Sequence, residues 1–152
     1  MNPLMRYLLA LVVSFHGLIY IATPLSSLSS TVYSGWKGSS ALMGSFVTGD
    51  ALKSLTTALW LIAGVGIFCA GITIVLASRF PRLWQPIAVA GTLVGMLSFV
   101  VFWDGQTAEF VNQGGVGLVL SAVIFVGALT FSSTITPSTR ATPSSSPGQH
   151  TV

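Results

Sequence analysis

Residues 79–109 read RFPRLWQPIAVAGTLVGMLSFVVFWDGQTAE, a complete membrane crossing with both ends marked by residue type. Arg79, Pro81 and Arg82 open it, apolar and small residues fill Ile87 to Phe102, and Trp103, Asp104 and Glu109 close it. At about 1.5 Å per helical residue, Trp84 to Trp103 covers roughly 28 Å, close to a hydrocarbon core of about 30 Å. Tryptophan favours the headgroup level, so Trp84 and Trp103 are expected as a pair of interfacial anchors.

The rest of the chain fits around that span. Of 152 residues, 52% are hydrophobic and 6% charged, with a mean hydropathy of +0.83. A soluble domain carries about 25% charged residues, so this chain lacks the polar surface to be globular in water. The formal charge of +3 comes from scattered basic residues that form no cluster able to follow phosphates, which argues against a nucleic-acid partner. The single cysteine, Cys69, lies in an apolar run and has no partner for a C-x-x-C motif.

Leu4–Thr23 reads as the first membrane helix, ended by Pro24 and the serines that follow. The competing reading is a secretory signal peptide, but its apolar region is long and no A-x-A site follows; cleavage leaves three spans. Leu25–Asp50 mixes Ser and Gly with Tyr33, Trp36, Leu42, Met43, Phe46 and Val47, the composition of an interfacial loop that lies on the membrane or caps the bundle. A floppy linker is the alternative. The second helix is expected at about Ala51–Ala77, with Lys53 placed to snorkel and an uncharged span over 54–77. Gly64 and Gly71 form a small-residue stripe along it, together with Ala63, Ala70 and Ala77. The third carries Gly91-x-x-x-Gly95, and the fourth, about Gly114–Ser133, pairs Gly117 with Ser121. In a multi-span chain such motifs more often pack helices of one chain than make a dimer.

The expected architecture is therefore an all-α, four-transmembrane-helix bundle over 1–133, with spans at about 4–23, 54–77, 84–103 and 114–133. The Pro-, Ser- and Thr-rich residues 134–152 form a disordered tail. With the N-terminus inside, Arg6, Arg79, Arg82 and Arg140 fall on the cytoplasmic side and only Lys37 and Lys53 outside, so both termini are expected in the cytoplasm.

One ionisable group lies well inside a span. His16 precedes Pro24 by about two turns and is expected in the outer half of the first helix, where a charge is expensive unless paired. If the first and third helices are neighbours, His16 can approach Asp104 as a protonatable pair. The alternative is a neutral His16 hydrogen-bonded to a neighbouring helix, with Asp104 starting a turn at Gly105. Tyr20 shares the helix face of His16, but tyrosine where a second histidine would complete an i, i+4 pair argues against a metal or haem site. No cofactor is expected. A Walker loop, G-x-S-x-G elbow and HExxH are absent from the sequence, as is the intramembrane carboxylate of a proton-coupled small multidrug exporter.

Four short motifs occur in order: Arg6 near the start of the first helix, His16-Gly17-Leu18-Ile19, Trp60-Leu61-Ile62-Ala63-Gly64, and Phe102-Trp103-Asp104-Gly105. In this the chain resembles a group of uncharacterised small bacterial four-helix integral membrane proteins, DoxX-like in size and layout. That group often has a second His at the position of Tyr20, and this chain departs from it. The resemblance implies a bacterial inner-membrane location, and only by analogy a link to quinol oxidation or sulfur metabolism.

These observations lead to the expectation of a non-enzymatic accessory or structural component of the inner membrane. It would act by helix association through Gly64, Gly71, Gly91, Gly95 and Gly117, with the lipid bilayer and a homo-oligomer or membrane-complex partner around it. The rival reading is a binder of a small amphipathic ligand, a quinone or lipid, held under the first loop by His16, Tyr20, Trp36 and Asp104. A small transporter ranks third.

Overall fold

The computed structural model describes residues 3–27, 39–44, 46, 47, 49–80, 83–111 and 113–130. They form four α-helices, α1 (Pro3–Ser27), α2 (Gly49–Val75), α3 (Trp84–Phe102) and α4 (Gly115–Thr130), with 3-10 turns at Leu76–Ser78 and Thr107–Glu109. No strand occurs among the described residues. The first three helices are long and apolar enough to cross a membrane. The 16 described residues of α4 reach only about 24 Å at about 1.5 Å per residue. Trp36 and the tail 134–152 lie outside the described residues.

Consecutive helices run antiparallel. Gly71 meets Ala10 and Gly64 meets Gly17, which sets α1 against α2. Gly66 meets Gly91 between α2 and α3, while Tyr20 lies over both Gly95 of α3 and Gly117 of α4. α2 packs against both α1 and α3, α3 packs on α4, and α4 touches α1 over a short stretch. The interior has three layers. Val13, Ile67, Ile74, Trp84, Ala88 and Ala128 fill the end near the α2–α3 turn. Tyr20, Trp60 and Ala63 fill the middle, and Leu52 with Phe102 fills the other end beneath Met43 and Val47.

Small side chains share the interior with these large ones, and large apolar side chains cover the outside. Ala63, Ala70, Thr92, Ser98 and Ser121 are fully buried, while Leu11, Phe15, Ile62, Leu97 and Val123 point outward. On adjacent positions of α3, Leu97 is 61% exposed and Ser98 0%. Small residues inside allow close backbone approach, and large apolar residues outside suit a lipid solvent. Three buried hydroxyls return to their own helix: Thr56 donates to the Leu52 carbonyl at 2.7 Å, Thr92 to Ala88 at 2.7 Å and Ser98 to Val94 at 2.6 Å.

Two expectations need correction. Pro24 does not end the first helix, which runs on to Ser27. Its missing N–H frees only the Tyr20 carbonyl one turn back, a loss that the last turn of an apolar helix tolerates. With Pro3–Ser27 as its bounds, His16 lies one residue past the midpoint of α1. Trp84 is not an interfacial anchor on the bundle surface. At 4% exposure it is core, in the space left by Ala70, Ala88 and Ala128.

The described part of the first loop caps the bundle. The Ala41 N–H donates to the Trp103 carbonyl at 2.9 Å, and the Ser40 hydroxyl donates to the Val101 carbonyl while accepting from the Met43 N–H at 2.9 Å. Two carbonyls at the end of α3, those of Val101 and Trp103, which have no helical partner of their own, are thereby satisfied by the loop.

Candidate functional site

The polar centre of the bundle consists of His16, Tyr20 and Ser121. His16 and Tyr20 are one turn apart on α1, and both are 3% exposed. His16 Nε2 lies 3.1 Å from Ser121 Oγ, and Tyr20 Oη lies 3.3 Å from the same oxygen. A serine hydroxyl has one proton and two lone pairs, so Ser121 serves both neighbours when Tyr20 donates to it and it donates to a neutral His16. The imidazole meets the edge of the Tyr20 ring at 5.0 Å and 78°, and Tyr20 packs on Trp60 at 4.9 Å. The cluster thus joins α1 to α4, with α2 supplying one aromatic wall.

Tyr20 crosses the middle of the bundle because two glycines make room for it. A Cβ on Gly95 or on Gly117 would lie 3.3 Å from the Tyr20 hydroxyl oxygen. The other expected packing glycines bring backbones together. A Cβ on Gly64 would stand 2.9 Å from the Gly17 carbonyl oxygen, one on Gly71 2.9 Å from that of Ala10, and one on Gly91 2.8 Å from the Ile67 nitrogen. All five glycines therefore face neighbours within the same chain. Gly17 and Gly66 belong with them and were missing from the sequence-based set; Gly17 lies seven residues from Pro24 and pairs with Gly64, but no i, i+4 repeat marks it.

Asp104 is not part of this centre. Its Oδ1 accepts the Gln106 N–H at 2.9 Å, closing a turn in which Gly105 adopts φ +87°. Phe102, the last residue of α3, is seven residues past Gly95, so Asp104 lies more than about 10 Å along the axis from the level of Tyr20. His16 is a further turn away in the opposite direction. The expected His16–Asp104 pair is therefore replaced by His16–Ser121. Trp103 Nε1, Asp104 Oδ2 and both amide atoms of Gln113 are buried without a hydrogen-bond partner. No group of three or more His, Cys, Asp or Glu suited to a metal ion occurs among the described residues.

Ser121 is the residue of the cluster that sequence reading placed only in a small-residue pair. A hydroxyl in an otherwise apolar helix was the available signal, since such groups bond across helices in lipid. Comparison with protein-family models, curated proteins and solved structures finds no match to this chain.

Proposed function

We propose that the chain is a four-span inner-membrane protein with cytoplasmic termini, a non-enzymatic accessory or structural component that acts through helix contacts within the bilayer. The observation that carries this reading is the apolar outer surface, where Leu11, Phe15, Ile62, Leu97 and Val123 are exposed around an interior in which small and hydroxylated residues let helices pack closely. Because Gly64, Gly71, Gly91, Gly95 and Gly117 all meet partners within the chain, contacts with a second copy or another membrane protein use the outward apolar faces. His16, Tyr20 and Ser121 then act as the clasp that keeps α1 and α4 in register. The DoxX-like layout agrees with a bacterial inner membrane as the location.

The rival reading, a quinone or lipid held by His16, Tyr20, Trp36 and Asp104, has less support. His16 and Tyr20 give their polar atoms to Ser121, and Asp104 stands at another level of the bundle. Native mass spectrometry after mild detergent extraction tests the proposal. A mass of two or more copies, or of a complex with another membrane protein, supports it; a bare monomer under every mild condition overturns it.

A further inference from the structure

On the outer surface between α2 and α3 lies a groove of about 340 Å³, lined by Ile62, Gly66, Pro86, Ala90, Gly91 and Val94. Its volume is near the low end of small-molecule sites, about 300–1,000 Å³, and its lining is apolar. Gly66, Ala90 and Gly91 leave the concavity, and Pro86 closes one end without needing an N–H partner so early in α3. From Pro86 to Val94 the groove runs about 12 Å along the helix, starting about 3 Å inside its first residue.

Gly66 lies opposite Gly91, so Pro86 is level with about Gly71, and Arg79, exposed in the α2–α3 turn, stands about 12 Å further towards that end of the bundle. The chain has three acidic side chains, and Asp50, Asp104 and Glu109 all belong to the opposite end of the bundle. Among the described residues no acidic side chain is therefore in reach of Arg79. An apolar slot at membrane depth with a cation about 12 Å beyond its end has the charge and polarity pattern of a phospholipid, with the lower part of a chain in the slot and the phosphate at the arginine.

We propose that the α2–α3 groove seats one acyl chain of an anionic phospholipid whose phosphate pairs with Arg79. The proposal rests on the reading of the chain as a membrane protein. The full chain, purified in mild detergent, is mixed with equal amounts of phosphatidylglycerol and phosphatidylcholine of identical acyl chains and weighed by native mass spectrometry. A surface cation is worth about 1 kcal/mol towards an anionic lipid, a preference of about fivefold. Wild type is expected to retain phosphatidylglycerol about fivefold over phosphatidylcholine. Arg79→Gln brings the ratio near one, and Ala90→Phe, or Ile62→Trp if the former misfolds, removes retention of both. Equal retention by wild type, an unchanged ratio in Arg79→Gln, or full retention by a folded groove-filling variant overturns the proposal. Sedimentation of membranes separates the two levels of failure. A chain left in the supernatant without detergent contradicts the membrane reading itself, whereas a membrane-bound chain with no lipid preference contradicts only the groove.

Discussion

Replacing Ser121 with alanine should destabilise the bundle by about 1–2 kcal/mol and do so in a way coupled to Tyr20. The hydroxyl stands 3.1 Å from His16 Nε2 and 3.3 Å from the Tyr20 oxygen, so its loss removes two interhelical hydrogen bonds at once. Such bonds within a membrane are worth about 0.6 kcal/mol each on average and up to about 1.7. Tyr20→Phe should cost about 0.6–1.5 kcal/mol, as it removes one bond but keeps the ring over Gly95 and Gly117. The double variant should fall short of the sum by about 0.5–1 kcal/mol, because the Tyr20–Ser121 bond can be lost only once. Reversible unfolding in mixed detergent micelles, followed by far-UV circular dichroism, gives all three values. Strict additivity, or a Ser121→Ala variant as stable as wild type, refutes the clasp.

The remaining predictions concern packing and the cap. Gly91→Ile places a branched side chain against the α2 backbone, where even a Cβ lies 2.8 Å from the Ile67 nitrogen, so it should lower the thermal midpoint of the monomer; overpacking of this kind costs about 1–3 kcal/mol or more. Leu97→Ala on the outward face should leave that midpoint nearly unchanged and act, if anywhere, on assembly size in size-exclusion chromatography. Ser40→Ala removes the hydroxyl that links Val101 and Met43, and proteolysis should then cut residues 39–47 severalfold faster while the helices remain intact. Gln113→Leu replaces a buried amide that has no partner and should raise stability by about 1 kcal/mol; a fall instead would show that the amide is bonded in the folded protein.

The positions of the helices were legible because membrane spans are written in composition. The stretch Trp84–Phe102 matches its expected bounds almost residue for residue, since Pro81 and the basic residues precede it and Asp104-Gly105 turn the chain after it. The end of α1 was misread because proline lacks one N–H whatever its position, and only the packing of Pro24 in the last turn makes that loss harmless. Glycine spacing marked where backbones approach, but the sequence has no term for what approaches. Gly95 and Gly117 are small for the sake of Tyr20, a side chain from a third helix. The choice of partner for His16 was hidden for the same reason. Asp104 attracts attention as a charge, yet helix pairing brings the uncharged Ser121 within reach. The α2–α3 groove arises from the meeting of Gly66, Ala90 and Gly91 across two helices, which no single segment displays.

The lipid-facing apolar surface is tested most directly by spin labels on a Cys69→Ala background, placed one at a time at Leu97, Ser98, Ser121 and Val123 in lipid bilayers. Oxygen concentrates in lipid and a nickel chelate stays in water, so their relaxation effects report what surrounds each site. Leu97 and Val123 labels should be strongly relaxed by oxygen and untouched by nickel, with Ser98 and Ser121 shielded from both. Nickel reaching Leu97 or Val123, or equal oxygen access at Leu97 and Ser98, would contradict the account.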